Sequence, residues 1–365
     1  MPSDASRLSR WTRSPRLAES RESTRKSDST HPLTQCSSAR VPDTSPRERL
    51  ARAEGPLRLS SSSGTIVRDS STPGLRNPDM KDILTQVRVN FQKDGYVVLE
   101  GFFNDQEVEE MKSSGEEFTT NLPPESERKI FTTVETPQSR DSYFLESALK
   151  VSFFFESEAL DENGKLKVHP RVSLNKVGHA LHWLHPTFKK FTFDERIKET
   201  TFQLNLQEPA VCQSMYIYKN PGIGSEVKMH QDSTYVHTEP PNVVGFWIAL
   251  DDAVQENGCL WIAPGSHQSG VHRRYIRNKD PESKELLIYD KAAPCYPLSN
   301  FRPVPVNKGS CIILNGQVVH FSKANRSEKS RHAYTFHVIE TKHTAYSKDN
   351  WLQPGEHGFP LLYRN

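Results

Sequence analysis

The chain has 365 residues, 35% of them hydrophobic, with 47 Lys and Arg against 45 Asp and Glu for a net charge of +2. Up to Arg76 the balance is about +6, which leaves about −4 for the remainder and excludes nucleic acid as an expected partner of the folded part. The five cysteines (Cys36, Cys212, Cys259, Cys295 and Cys311) are odd in number and form no CxxC pair, which excludes a disulfide framework and a thiolate zinc site and suits a reducing compartment.

Residues 1–80 are rich in Ser, Arg and Pro and hold few large apolar side chains. Such a segment buries too little surface to offset the entropy of ordering it, so a disordered tail is expected, with a folded domain over 81–365. The tail has the Arg and Ser content of a mitochondrial transit peptide, but Asp4, Glu19, Glu22 and Asp28 argue against one. No run of 18 apolar residues is present, so no membrane span is expected. The expectation is a soluble cytoplasmic monomer, with a mitochondrial location as the alternative.

Ile83, Leu84, Val87 and Phe91 stand at helical spacing over 80–93, and Gly95 ends the helix. Tyr96 to Leu99 reads as a buried strand. Asn104, with Glu107 three residues on, starts a second helix through about Thr119 as a capping box. Val151 to Phe155 is another strand, Asp161-Glu162-Asn163-Gly164 is a hairpin signal, and 177–204 has a helical pattern interrupted at Pro186. Beyond that the chain changes character. Val211 to Tyr218, Val243 to Leu250, Cys259 to Ala263, Cys311 to Leu314 and Ala333 to Ile339 are short, β-rich and separated by turns. Helices first and strands later predict an α+β, mainly β fold: a double-sheet core buttressed by helices.

In Lys228-Met229-His230-Gln231-Asp232, residues two apart on an extended strand share a face, so His230 and Asp232 present an imidazole and a carboxylate to one ion. Two histidines and a carboxylate on one face of an octahedron leave positions open, as non-haem Fe(II) oxygenases require. His320, after the strand CIIL and the Gly316 turn, fits as the third ligand; His237, His267, His272 and His337 also lie in the β region. Arg331, eleven residues beyond His320, offers a guanidinium to a dicarboxylate, and Ser322 adds a hydroxyl.

Three stretches, MHQDSTYVHTEP, ENGCLWIAPGSH and VVHFSKANRSEKSRHAYTFH, resemble the phytanoyl-CoA dioxygenase family of Fe(II)/2-oxoglutarate oxygenases. KDGYVVLEGFF (93–103), LNKVGHALHWLHP (174–186) and NWLQP (350–354) extend the likeness from about residue 83 to the C-terminus. The resemblance implies a double-stranded β-helix (jelly-roll) core. It places iron ligands at His230, Asp232 and His320, and 2-oxoglutarate contacts at Lys176, Met215, Gln231, Trp247, Ser322 and Arg331. It further implies conversion of 2-oxoglutarate and O2 to succinate and CO2 as a small-molecule substrate is hydroxylated.

The substrate is not implied with it. Residues 268–308 form a long insertion of the kind that serves as a lid or binding loop. Its Arg273, Arg274 and Arg277 could meet the phosphates of an acyl-CoA thioester or lie on a solvated surface. The alternatives from other classes are a cupin-like metal-binding protein or decayed enzyme without oxygenase activity, and an interaction protein working through its basic tail.

Overall fold

The computed structural model describes residues 65–66, 87–131 and 138–365. Apart from the two-residue strand Thr65–Ile66, the segment expected to be a disordered tail lies outside the described residues. The first helix, α1, is described over 87–94. It buries Val87 and Phe91, and it ends at Gly95 (φ +80°), whose N–H donates to Phe91 O at 3.0 Å. Strand β1 (Tyr96–Leu99) follows, then α2 (Asp105–Glu117). The capping box is present: Glu107 N–H donates to Asn104 Oδ1 at 3.0 Å, and Asn104 N–H to Glu107 Oε2 at 2.8 Å.

The next elements are α3 (Ser142–Glu146), β2 (Val151–Phe155) and β3 (Leu174–His179). Then come α4 (Leu181–Leu184), α5 (Pro186–Thr192), α6 (Glu195–Gln203) and β4 (Pro209–Ile217). The helical pattern read over 177–204 therefore starts too early. Val177 to His179 belong to β3, paired on one side with β2 and on the other with β4, and this two-sided ladder overrides the local pattern. At 161–164 the turn forms as expected, closed by a single bridge between Leu160 and Leu166.

The remaining strands of three residues or more are β5 (Val227–His230), β6 (Val243–Ala249), β7 (Leu260–Ile262), β8 (Tyr275–Arg277), β9 (Leu287–Tyr289), β10 (Arg302–Val304), β11 (Cys311–Asn315), β12 (His320–Ser322) and β13 (Ala333–Glu340). The larger sheet runs Thr65–Ile66, β1, β11, β6, β13, β4, β3, β2, Lys129–Ile130, and the smaller runs β10, β7, β12, β5. Two facing sheets with helices on one outer face form the double-sheet core that the sequence pattern predicts and the jelly roll that the resemblance implies, and neither sheet closes into a barrel. The insertion over 268–308 is less loop than expected: β8 and β9 form a hairpin, and β10 extends the smaller sheet. Among the described residues no helix is long and apolar enough to cross a membrane.

Alternation along each strand sorts the larger sheet's two faces. Tyr334 and Phe336 of β13 pack with Phe246, Tyr216 and the helical Met111, Phe188 and Phe191. The opposite face, with Trp247, Ala249 and Ala333, meets Leu260 and Ile262 of the smaller sheet.

Helix α2 lies so close that a Cβ built on Gly115 would fall 2.1 Å from the Tyr216 ring, and Tyr218 Oη donates to Gly115 O at 2.6 Å. Helix propensity alone would make Gly115→Ala stabilising by up to about 1 kcal/mol. Overpacking against the ring outweighs it, and we expect a net loss of about 1–3 kcal/mol, read as a lower urea midpoint.

Candidate metal centre

His230 ends β5, the edge strand of the smaller sheet, and His320 opens β12 directly opposite it in the antiparallel register. Asp232 sits in the short turn that follows β5. One ligand atom from each of the three lies within 4.8 Å of the others. The Nε2 atoms of His230 and His320 stand 3.6 and 3.7 Å from Asp232 Oδ1, with the two rings 4.3 Å apart.

Each ring is held by its other nitrogen. His230 Nδ1 is 2.7 Å from Lys228 O, and His320 Nδ1 is 3.1 Å from Val318 O. A carbonyl can only accept, so both Nδ1 atoms carry the proton and both Nε2 lone pairs face the carboxylate, the tautomer a metal ligand needs. Burial, then the neighbouring His230 ring, pushes His320 down to about 4. Burial would raise Asp232, but the His337 and His320 rings hold its carboxyl well below the usual range. The donor set is two imidazoles and one carboxylate, which suits a first-row divalent ion.

The larger sheet supports the carboxylate from behind. His337 Nε2 lies 3.1 Å from Asp232 Oδ2, and His337 Nδ1 faces the Gln213 amide nitrogen at 3.0 Å. That amide donates, so Nδ1 of His337 accepts and its proton is on Nε2, the nitrogen nearer Asp232. Gln213, His337, Gly245 and Leu314 are cross-strand neighbours in one row. Gly245 is there because a Cβ would fall 2.9 Å from Asp232 Oδ2. Sequence reasoning weighed His337 only as a competing ligand and missed Gln213 and Gly245. The one available signal was the Gly inside VVGFWIAL, since an isolated strand glycine marks a close approach.

The next row of the same face is Met215, Thr335 and Trp247, all on the cavity wall beside the metal cluster. Arg331 is buried at 1% exposure, its Cζ 5.1 Å from the Trp247 ring centroid. Its Nε donates to Gly258 O at 3.0 Å, but Nη1 is buried without a hydrogen-bond partner, as is Ser322 Oγ. Desolvation pulls the guanidinium down to about 10. Two orphaned donors on one cavity wall are costly unless an anion completes them.

Lys176 also lines the cavity, but in an aromatic setting: its Nζ is 3.4 Å from the Phe131 ring centroid and 5.4 Å from that of Phe154. Gln231 does not reach the cavity. Its amide nitrogen donates to the carbonyls of Gly270 (2.8 Å) and Gln317 (2.6 Å), and its Oε1 accepts from His272 N–H at 2.8 Å. A side chain with three backbone partners is a tie between loops. The remaining competitors are engaged elsewhere: His267 Nε2 with Gln92 O, His272 with Tyr296 and Ser269, and His237 beside Glu239.

The insertion's arginines divide. Arg274 Nη2 donates to Ser347 Oγ, and Arg277 to the carbonyls of Asn350 and Trp351, so both fasten the hairpin to the C-terminal segment. Arg273 stacks on Tyr289 with Cζ 3.7 Å from the ring centroid.

A jelly roll with a His–Asp–His cluster between its sheets is the architecture of the 2-oxoglutarate-dependent dioxygenases. The profile of the Phytanoyl-CoA dioxygenase (PhyH) family matches residues 91–333, and the chain belongs to that family. A phytanoyl-CoA dioxygenase domain-containing protein 1 homolog of Caenorhabditis elegans is 46% identical over 285 residues, 76% of this chain and 99% of that protein. Phytanoyl-CoA dioxygenase domain-containing protein 1 of Bos taurus is 45% identical over 280 residues, 75% and 96% of the two chains. The crystal structure of the non-heme alpha ketoglutarate dependent epimerase SnoN from nogalamycin biosynthesis shares the fold, with a TM-score of 0.51 at 15% identity over 77% of this chain and 99% of that one.

Two outcomes are expected. Gly245→Ala crowds Asp232 from behind and lowers Mn(II) affinity about 10- to 100-fold in a calorimetric titration, with the fold retained. Lys176 is the second case. Burial takes its pKa from 10.5 to about 7. Below pH 7 the lysine is charged in both folded and unfolded chains, so the folded state bears the full desolvation penalty; above 10.5 it is neutral in both. Lys176→Met should therefore stabilise the metal-free protein most at pH 7 and below, with the gain fading as pH rises to 10.5. Denaturant midpoints across that range check it.

Proposed function

We propose that this protein is an Fe(II)- and 2-oxoglutarate-dependent hydroxylase in which His230, Asp232 and His320 hold the iron. The observation that carries the reading is a coincidence on one cavity wall. A tautomer-fixed His–Asp–His cluster shares a cavity with Arg331 and Ser322, whose Nη1 and Oγ are buried without a hydrogen-bond partner among the described residues. Iron bound there, with 2-oxoglutarate and dioxygen, supplies the oxidising chemistry: 2-oxoglutarate leaves as succinate and CO2 while one C–H bond of the substrate becomes C–OH.

The chain's own residues bind, orient and exclude water. Arg331 Nη1 and Ser322 Oγ receive the distal carboxylate of 2-oxoglutarate, and the low-dielectric wall strengthens those bonds. Trp247, Met215 and Thr335 form the floor under the carbon chain. Lys176, on the neighbouring strand, adds a cation to the cavity. Gln231 acts on this site only through the loops it ties together. Beyond the cluster the wall is aromatic, with Phe131, Phe144, Tyr235, Tyr275, Tyr289 and Trp351, and it receives a small-molecule substrate.

A cupin-like metal protein without oxygenase activity is disfavoured because it would give Ser322 Oγ and Arg331 Nη1 no acceptor. An acyl-CoA substrate is not favoured by the insertion, since Arg277 and the Nη2 of Arg274 donate to the protein itself.

In the presence of Mn(II), 2-oxoglutarate should raise the melting temperature of the wild type. His230→Ala and Asp232→Ala should abolish iron-dependent succinate formation; turnover in either purified variant would sink the reading. Arg331→Met should raise the KM for 2-oxoglutarate by about 30-fold or more, the effect of removing one partner of a buried charge pair.

A further inference from the structure

We propose that Lys219 is a second cation for the distal carboxylate of 2-oxoglutarate, set beside Arg331 by the Gly258 turn, so that the deep end of the cavity selects a dianion. The inference rests on the 2-oxoglutarate reading above and adds a residue to that site.

Lys219 ends the run that leaves β4 and adopts a left-handed backbone conformation (φ +42°), rare for a residue with a Cβ. Two donors hold it there: Asn325 Nδ2 at 2.9 Å and Arg331 N–H at 3.3 Å both reach Lys219 O. The backbones of the two cationic residues are thus bonded to each other. Gly258 then brings the side chains together. Its carbonyl accepts from Arg331 Nε at 3.0 Å, and a Cβ on it would lie 3.3 Å from Lys219 Cε. The lysine stem passes under the glycine on whose carbonyl the guanidinium rests. Both side chains line the cavity, and Ser322 and Trp247 line it with them.

Lys219 is 2% exposed, and its Nζ donates to one acceptor, Ser225 O at 2.6 Å. Neither Lys219 nor Arg331 forms a salt bridge among the described residues. Glu156 and then Glu226 are the carboxylates whose fields reach Lys219, and neither forms a salt bridge with it; Glu156 is engaged, with both its oxygens accepting from Ser225 N–H at 3.2 Å and Oε2 also taking the Ser225 hydroxyl. Burial, followed by the Arg331 charge, holds the Lys219 pKa well below its ordinary value. Two buried like charges with no anion between them destabilise the empty protein. A carboxylate entering between them relieves both at once.

The test compares two oxo acids on Mn(II)-loaded protein by calorimetry: 2-oxoglutarate, and 2-oxohexanoate, which keeps the chelating end and lacks the distal carboxylate. In the wild type 2-oxoglutarate should bind far more tightly. In Lys219→Met its affinity should fall by about tenfold or more while that of 2-oxohexanoate stays level, so the ratio shrinks. Lys219→Arg, which keeps the charge, should restore most of the ratio, and Lys219→Gln replaces the Met variant if that one does not fold. A slackened cavity would weaken both ligands together, so an unchanged ratio in Lys219→Met or Lys219→Gln overturns the proposal. Arg331→Met separates the two levels. If it shrinks the ratio and the Lys219 variants do not, this inference alone fails. If the wild type does not prefer 2-oxoglutarate, the underlying reading fails.

Discussion

One carboxylate ties the two sheets together at the site. Asp232 belongs to the turn after the smaller sheet's edge strand, and its Oδ1 faces the two imidazoles of that sheet. Its Oδ2 rests on the larger sheet, against Gly245 and His337. The spacing between sheets at this point is therefore set by a single side chain, and the rest of the centre follows. Gly245 must lack a Cβ, His337 must keep its proton on Nε2, and Gln213 must stand where it enforces that tautomer. Removing the carboxylate would take away both a member of the candidate metal cluster and the anion 3.1 Å from the buried His337 Nε2.

The same site accepts stability penalties elsewhere in the protein would not. Arg331, Lys219 and Lys176 are all buried, and none forms a salt bridge among the described residues. Elsewhere the fold satisfies its charges in the ordinary way: Arg196, for instance, is bracketed by Asp194 and Glu107. The contrast locates function. Where local rules are kept, residues hold the fold; three basic side chains buried on one cavity without a salt bridge mark the place where they are not.

Much of this was readable from the residues. The period-two strands, the Asn104 capping box and the Gly95 stop are local signals and form where they point. The cluster of His230, Asp232 and His320 was legible from the two-residue spacing of the first pair and the glycine turn before the third, although Asp232 lies in the turn after β5 and not on the strand's face. What escaped depended on contacts between distant segments. Val177 to His179 looked helical because nothing local announces that β2 and β4 flank them. The roles of Gly245 and Gln213 exist only because Asp232 crosses from the other sheet. The family resemblance implies a co-substrate contact at Gln231, whose side chain here turns to the loops at 270–272 and 317. Alternation predicts which way a strand residue points, but Gln231 lies between β5 and the turn, where alternation has already ended.

The arginines of the insertion carry the same lesson into the question of substrate. Arg273, Arg274 and Arg277 form a basic run in the sequence, but charge runs do not bind phosphate unless their donors are left available. Arg277 and the Nη2 of Arg274 donate to residues 347–351, which fixes the β8–β9 hairpin beside the cavity. That hairpin supplies Tyr275 and Tyr289 to the aromatic wall, while Phe144 comes from α3 and Trp351 from the C-terminal segment. The metal cluster and the row of Met215, Thr335 and Trp247 come from the two central sheets and the turn that follows β5. The substrate-facing half is thus assembled from peripheral elements, and these can vary without disturbing the centre. Membership of the phytanoyl-CoA dioxygenase family accordingly carries the reaction class, which the sheets determine, and leaves the oxidised molecule to be decided by the segments around them.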